Sequence, residues 1–403
     1  MKHHIQILKN LQTNGSLTGR ELAAYLGISV SAVDNCVKVL RNWDFGISDS
    51  LGTGYQLTES LQFIDEKRLR QELRSKGVWV ENRLEVLEEV DSTSERLLDD
   101  PNRQSLHGRT CVTEFQSQGR GQRGRTWLGV PCRNIMLSMA WQMDRAVSSL
   151  GGLSLSVGLT LLQRLQTFSA ERLQLKWPND IVCESGKLAG ILVDVLTVPD
   201  HRCTVVVGIG VNLKNPTVIT NRLERRVANL VDLSTDSVDR TGLVALIIAD
   251  LRRNLKTFDH NGFSGDVNAW NACDAYAGLR VRARINKRTI EGDALGVDRR
   301  RAAELPDLGV VAERHARAGC LRWHGFFVRL LRLCAPPDSL ANGSCCPVQQ
   351  PAPCRTTRPP PTTQGCGPPR GATGVWCAMP SSFTPRHAAP RARLGARLIS
   401  ARP

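Results

Sequence analysis

Residues 1–60 combine a helical period of apolar positions with two short extended runs. Thr18 and Glu21 have the spacing of a helix-capping box. Gly27 stands where a tight turn is needed, and Val33 and Val37 fall on one face of the next helix. The runs on either side of "SLGTG" predict a hairpin. The segment therefore predicts a winged helix-turn-helix.

The second helix of the helix-turn-helix, which is the third helix of this unit, carries the polar residues that we expect to face a DNA groove. They are Ser31, Asn35 and Lys38. A three-helix packing module without a DNA role is the alternative interpretation.

Residues 61–82 are polar and predict a linker, whereas 83–270 predict a mixed α/β body. "RLEVLEEVDST" and "NIMLSMAWQM" are typical of strands, and "GLSLSVGLTLLQRLQTF" predicts a long buried helix. Between 173 and 196, "LQLKWPNDIVCESGKLAGILVDVL" predicts a strand, a loop and a strand. "CTVVVGIGVNL" predicts a further strand, and "TGLVALIIADLRRNLKTF" a helix. The fold class is accordingly α+β with several domains.

The pattern changes near the end of the chain. Residues 271–298 alternate as at the start of a small barrel, with a turn at Asn286 and Lys287. From Arg299 to residue 403 no period of 2 or 3.6 persists, and the segment holds 16 Arg, no Lys and four acidic residues. A GC-rich coding sequence translated in another frame would give this composition. A disordered Arg/Pro-rich tail is the other interpretation.

Composition changes this picture in two ways. The formal net charge of +15 belongs mainly to the segment from 299 onward, so it says little about DNA binding by the body. The 13 cysteines include no CxxC pair and no zinc-like spacing with histidine, which favours free thiols and predicts no metal site. We find no signal peptide and no apolar run of about 20 residues, and therefore expect a cytoplasmic protein without a membrane partner.

Four segments of the body carry candidate chemistry: "EVDSTSERL", "EFQSQGRGQRGRTW", "KWPND" with "GKLAGILVD", and "GIGVN". Glycines let backbone N–H groups approach an anion, and arginine adds fixed charge. Gly119, Gly121 and Gly124 match GxGxxG, but we expect no strand before them and no helix after them, which excludes a dinucleotide fold. Taken singly, each segment is weak evidence for a functional site. The ordinary interpretation of "EFQSQGRGQRGRTW" alone is a solvated basic loop.

In this order and spacing, the four segments closely resemble the bifunctional biotin–protein ligase and biotin operon repressor family. The resemblance extends from about residue 4 to 298. It implies a winged helix, a class II synthetase-like catalytic domain and an SH3-like β-barrel, here incomplete and followed by a disordered tail. It also implies ligation of biotin to a lysine of a biotin carboxyl carrier protein through biotinoyl-5′-AMP, with ATP and Mg²⁺.

The same resemblance implies roles for individual residues. Catalytic roles fall on Lys187, Arg120 and Asp180. Biotin contacts fall on Ser92, Thr93, Ser94, Gln116, Arg120, Gly121, Gln122 and Lys187. Nucleotide contacts fall on Gly119, Arg120, Trp127 and Asn212, with Trp127 stacking on adenine. The family further implies a homodimer, favoured by the adenylate, that binds a two-fold operator and represses biotin synthesis.

Two departures from the family pattern stand out. The loop carries Gln122 where the family commonly has arginine, which predicts weaker retention of the adenylate unless the neighbouring arginines compensate. The strands that close the family's barrel are not recognisable after Asp298. A DNA-binding biotin-adenylate sensor with crippled ligation is therefore the alternative function, and an inert product of a disrupted reading frame is a third.

Overall fold

The computed structural model describes residues 1–50, 54–102, 105–197, 203–223, 226–285, 288–298 and 312–314. The helices are α1 (Lys2–Asn14), α2 (Gly19–Leu26), α3 (Val30–Asn42), α4 (Glu66–Ser75), α5 (Thr93–Leu98), α6 (Leu153–Gln166), α7 (Thr217–Arg222), α8 (Leu230–Leu233), α9 (Arg240–Asn261) and α10 (Val267–Ala272). The strands are β1 (Ile47–Ser50), β2 (Gly54–Leu57), β3 (Leu84–Val90), β4 (Thr110–Gln116), β5 (Asn134–Met143), β6 (Gln174–Lys176), β7 (Asp180–Cys183), β8 (Gly186–Thr197), β9 (Cys203–Asn212), β10 (Arg280–Ile285), β11 (Arg288–Asp293) and β12 (Ala312–Arg314).

The N-terminal unit is a winged helix-turn-helix, as the sequence predicts. Thr18 caps α2 by accepting the N–H of Glu21 at 3.2 Å, and the Glu21 carboxylate accepts the N–H of Thr18 at 2.7 Å. Gly27 ends that helix in the left-handed region, with φ 65°. α3 buries Val33 and Val37, and β1 pairs with β2 antiparallel to form the wing. Local capping and the apolar stripe thus suffice to specify this unit.

The α/β body is built on a seven-stranded sheet in the order β3-β4-β5-β9-β8-β7-β6. Only the β3–β4 pair is parallel among these neighbours. Odd-numbered positions of β5 and β9, such as Leu137 and Ile209, join the large core that also contains α6 and α9. Ser138 lies opposite Gly208 on the other face, where side chains are small. Helices α6 and α9 therefore cover one face, whereas α5 packs on part of the other face, and the rest of that face is left for a site.

Two segments differ from their predicted structure. The loop expected between two strands at 173–196 contains a third strand, β7, because Ile181 and Cys183 alternate with partly exposed neighbours and bury one face. The polar linker predicted over 61–82 contains α4, whose Leu69 and Leu73 are fully buried in the body core. Two leucines four residues apart suffice to dock a helix that is otherwise charged.

The segment after the body starts a small antiparallel sheet in the order β11-β10-β12. The first two strands match the predicted barrel start, and the turn expected at Asn286 and Lys287 lies outside the described residues. β12, residues 312–314, pairs with β10 from within the segment predicted to be aberrant or disordered. The rest of 299–403 lies outside the described residues, so the SH3-like barrel and the nature of the tail stay predictions.

Within the described part of the chain, no single helix is long and apolar enough to cross a membrane, and only the pair α2 and α3, bent by 102°, meets that requirement by combined length and composition.

Candidate active site

A cavity of about 1470 Å³ opens on the sheet face that carries Ser138 and Gly208. Its walls come from the start of α5, the loop after β4 and the β7–β8 hairpin. The predicted site residues that line it are Ser92, Thr93, Ser94, Gln116, Arg120, Gly121, Gln122, Trp127, Asp180 and Lys187. The fold thus gathers most of the candidates, which are spread over nearly 100 positions of the chain, around one space.

One end of the cavity is a hydroxyl cluster at the N-terminus of α5. Thr93 donates its N–H and its hydroxyl to Oε1 of Gln116, at 2.8 and 3.0 Å. The hydroxyl oxygens of Thr93 and Ser94 lie 2.7 and 2.9 Å from Oγ of Ser138. Ser92 caps the helix by accepting the N–H of Glu95. These groups offer fixed donors and acceptors to a small polar head group.

Ser138 belongs to this cluster but is not among the residues predicted from the sequence. The signal was present, because Ser138 is the small polar residue in the middle of the otherwise apolar run "IMLSMAW". It is fully buried, and its partners come from α5 on another part of the chain. Only the pairing of β5 with its neighbours shows that this serine faces the cavity.

The glycines of "GIGVN" form the floor of the cavity. A Cβ on Gly208 would lie 2.9 Å from Oγ of Ser94, and one on Gly210 would lie 2.5 Å from the indole of Trp127. Larger residues would therefore fill the site or displace its walls. This explains chemically why glycines alternate on β9 at this point.

The indole ring of Trp127 lies against this glycine floor. Its ring approaches the Cβ position of Gly190 to 3.4 Å, and Nζ of Lys187 is 5.8 Å from the ring centroid. The indole Nε1 is buried without a hydrogen-bond partner among the described residues. Stacking of this tryptophan on adenine stays a prediction.

Lys187 and Asp180 form an ion pair between β8 and β7. Their side chains are only 13% and 17% exposed, so the charges face each other inside the cavity wall. Asn212 donates its side-chain N–H to the carbonyl of Lys187 at 3.0 Å and thereby fixes the backbone that carries the ammonium. A lysine held in this way can present its positive charge to an anion while its ammonium group stays in a fixed position.

The loop after β4 is a small hairpin. Gly121 donates its N–H to the carbonyl of Arg125 at 2.7 Å, and Trp127 donates to Gly119 at 2.8 Å. Arg123 and Gly124 turn the chain with φ of 60° and 69°. Contrary to expectation, the strand β4 precedes the three glycines. The glycines lie in a hairpin and do not open a long helix, so the exclusion of a dinucleotide fold stands.

Two predicted nucleotide-binding residues do not line the described cavity. Gly119 is buried beneath the hairpin, where a Cβ would meet the carbonyl oxygen of Trp127 at 2.5 Å. Asn212 is 5% exposed and bonds to Lys187 and Asn134. The structure therefore gives both residues a supporting position behind the wall, and direct nucleotide contact by either stays a prediction.

Arg120 lines the cavity, and its guanidinium bonds to two carboxylates. Nη1 donates to Glu95 on α5, and Nη2 donates to Asp194 on β8 at 3.2 Å. Burial raises the pKa of Asp194 above its ordinary value, and Arg120 opposes that rise. Among the described residues no group of three or more His, Cys, Asp or Glu side chains could hold a metal ion. A magnesium ion would enter with the nucleotide, held by its phosphates.

Comparison with known proteins identifies the chain. A model of the "Biotin/lipoate A/B protein ligase family" matches residues 86–212, and one of an "HTH domain" matches 3–56. Over 306 residues the chain is 30% identical to "Bifunctional ligase/repressor BirA" of Escherichia coli (strain K12), covering 75% of this chain and 92% of that relative. The chain belongs to the bifunctional biotin ligase/repressor family.

Proteins from two other bacteria are also similar to this chain. The Salmonella typhimurium protein "Bifunctional ligase/repressor BirA" is 32% identical over 294 residues, covering 73% of this chain and 89% of the relative. A solved "Biotin protein ligase from Aquifex aeolicus in complex with biotin and ATP" aligns at 24% identity with a TM-score of 0.47, covering 58% of this chain and 99% of that one.

The predicted DNA-contacting residues lie within the matched HTH region. Ser31, Asn35 and Lys38 are all exposed and share one side of α3. Oγ of Ser31 is 2.9 Å from Oγ of the capping Ser29. The helix therefore presents three polar side chains outward, and their contact with DNA stays a prediction.

Proposed function

We propose that this chain joins biotin to a lysine of a biotin carboxyl carrier protein through biotinoyl-5′-AMP, and that the adenylate-bound form represses transcription. One observation carries the proposal: Lys187 and Arg120 bring two cations to a cavity that ends in the hydroxyl cluster of α5. That arrangement suits a ligand with a small polar head and an anionic tail. Membership of the ligase/repressor family supports the same chemistry.

In the first step, a carboxylate oxygen of biotin attacks the α-phosphorus of ATP. The bond from that phosphorus to the bridging oxygen of the β-phosphate breaks, and pyrophosphate leaves. Both reactants are anions, so the step needs positive charge placed beforehand at the point of contact. Lys187 and Arg120 supply that charge, and the glycine floor of β9 lets the ligand approach the sheet closely.

In the second step, the neutral ε-amine of the acceptor lysine attacks the acyl carbon of the adenylate. The bond from that carbon to the phosphate oxygen breaks, AMP leaves, and the amine loses a proton. The carboxylate of Asp180 lines the cavity beside Lys187 and is the candidate to orient the incoming amine. The hairpin of residues 119–127 would shield the mixed anhydride from water.

Repression follows from the N-terminal unit. The adenylate orders the loops, and a homodimer forms whose paired winged helices bind a two-fold operator. Binding of the adenylate and dimerisation favour each other, because loops that the adenylate has already ordered lose no further conformational entropy when the dimer forms. Cytoplasmic location, where ATP, carrier and operator meet, is part of this proposal.

The test replaces Lys187 by glutamine, which is one atom shorter, keeps a hydrogen-bond donor and removes the charge. With biotin, Mg·ATP and an apo carrier domain, we expect the wild type to add the mass of one biotin to the carrier. Lys187→Gln should reduce the rate of adenylate formation by about 100-fold or more, the size typical of a lost electrostatic contact in a transition state. Mass spectrometry of the carrier gives the readout.

Lys256→Gln is the matched control, since Lys256 is exposed on α9 and does not line the cavity. It should biotinylate the carrier at the wild-type rate. Equal rates in all three proteins would contradict the role of Lys187. Adenylate formation by the wild type without transfer would instead support the alternative, a biotin-adenylate sensor.

A further inference from the structure

Arg120 is the side chain that fastens the hairpin to two separate parts of the body. Its backbone is bridged to Thr126 within the hairpin, whereas its guanidinium bonds to Glu95 on α5 and to Asp194 on β8. The two carboxylates belong to a helix and to a strand, and they are 99 positions apart in the sequence. The guanidinium is thus held by a carboxylate on each side.

Asp194 occupies a position that is costly for a charged group. It lies on β8 four residues after Gly190, so period 2 places both on the same face of the strand, towards the cavity. Its Oδ2 is buried without a hydrogen-bond partner in the described part of the chain, and Oδ1 accepts only from Arg120. A half-buried carboxylate with one partner depends on that partner for its charge.

Glu95 holds the opposite side. It is the third residue of α5, one turn after the capping Ser92, and its backbone N–H satisfies that cap. Its side chain leaves the helix and reaches Arg120 and is about one third exposed. The helix therefore sets the position of this carboxylate, and β8 sets the other.

A guanidinium has five N–H donors in a rigid plane, and two carboxylates that each take one N–H leave the others for a ligand. Without those carboxylates the side chain would sample many rotamers, because it extends from a glycine-flanked loop. Held on both sides, its remaining donors keep one direction. Orientation of this kind is what a step between two anions requires.

We propose that Glu95 and Asp194 are positioning residues of the adenylation site, which hold Arg120 in the orientation that receives the biotin carboxylate and the α-phosphate. This inference rests on the proposed function. Neither carboxylate touches the reacting atoms, and both act through Arg120. Hence their effect depends on Arg120 being present.

The experiment measures biotin-dependent exchange of pyrophosphate into ATP by the full-length chain. Asp194→Ala should lower kcat about tenfold, as for loss of one charge-assisted hydrogen bond, and leave the KM for biotin within about twofold. Asp194→Asn should keep most of the activity, because its amide oxygen still accepts from Arg120. Glu95→Ala repeats the test at a more exposed carboxylate, where folding is not at risk.

The decisive comparison is a double-mutant cycle. In an Arg120→Ala background, Asp194→Ala and Glu95→Ala should cause no further loss of kcat. Losses that multiply would overturn the proposal, as would equal activity of Asp194→Ala and wild type. The control is Glu85→Gln, which breaks the ion pairs of Glu85 with Arg96 and Arg109. This variant should leave kcat unchanged. Wild-type protein without any exchange would refute the proposed function itself.

Discussion

At the scale of single residues, Gln122 is the position where this loop departs from its family. It lies at the cavity, begins the turn of the hairpin and is partly buried. Arg120 on the same loop is already engaged with Glu95 and Asp194, so it is not an obvious substitute for a missing charge at position 122. Arg123 and Arg125 line the same cavity, so the effect of Gln122 on adenylate retention stays a prediction.

Gln122→Arg should slow the dissociation of biotinoyl-AMP. A charge-assisted contact in place of a neutral one stabilises the complex by about 1–2 kcal/mol, which corresponds to roughly a 5- to 30-fold slower rate. Stopped-flow fluorescence of the preformed adenylate complex measures that rate. Gln118→Arg, which adds the same charge at an exposed position away from the cavity, should leave it unchanged. Identical rates for Gln122→Arg and wild type would refute the idea.

At the scale of elements, a buried ion pair joins α9 to the sheet. Arg240 and Glu114 are 1% and 3% exposed, and Arg240 also donates to the carbonyls of Asn134 and Gln62. Glu114 accepts the N–H groups of Ile64 and Cys132 as well. One network therefore ties β4, β5, α9 and the segment before α4 together.

Removing the guanidinium of Arg240 leaves the carboxylate of Glu114 buried without an opposite charge beside it. We expect Arg240→Met to lower the free energy of unfolding by about 3–5 kcal/mol. Arg253→Met, on the same helix at a side chain that is 74% exposed and pairs with Asp250, should change the free energy of unfolding by less than about 1 kcal/mol. Denaturant unfolding followed by circular dichroism compares the two. A loss below 1 kcal/mol for Arg240→Met would mean that the network is not structural.

At the scale of the whole molecule, the winged helix is attached to the body through polar and apolar contacts. Val130, Cys132 and Ile219 of the body are buried within the core of the winged-helix unit. Arg133 bonds to Glu59 at 2.6 Å beneath the wing. The winged-helix unit therefore rests on the chain segment that follows the hairpin of residues 119–127.

Glu59 makes this attachment sensitive to acid. Burial raises the pKa of its carboxyl, but the N–H of Gly46 and the guanidinium of Arg133 outweigh that effect and hold the pKa below 4.5. A carboxyl whose pKa is lower in the folded than in the unfolded protein stabilises the fold at pH values above its unfolded pKa. This stabilisation is lost as the pH falls through the pKa of the folded state. Glu59→Gln should therefore be less stable than wild type at pH 7 by about 1–3 kcal/mol, and the gap should narrow below pH 4.5. Denaturant unfolding at both pH values tests this, and a gap independent of pH would contradict it.

Sequence patterns alone determined much of the architecture. Capping at Thr18 and Ser29, the apolar stripe of α3 and the long runs of β5, α6 and β9 are local signals, so they predict the elements that form. The sequence did not predict helix α4 and strand β7, because each has few apolar residues and only the folded structure shows that these residues are buried in the core. The order of the motifs also sufficed to indicate the family.

Only the tertiary structure decided which side chains share the site and which support it. Ser138 joins the hydroxyl cluster, and Asn212 lies behind Lys187, because strand pairing and side-chain alternation set those directions. The basic loop "GRGQRGR" predicts an anion site by composition. That its Arg120 is held between Glu95 and Asp194 depends on a helix and a strand distant in the chain, a contact that local sequence cannot encode.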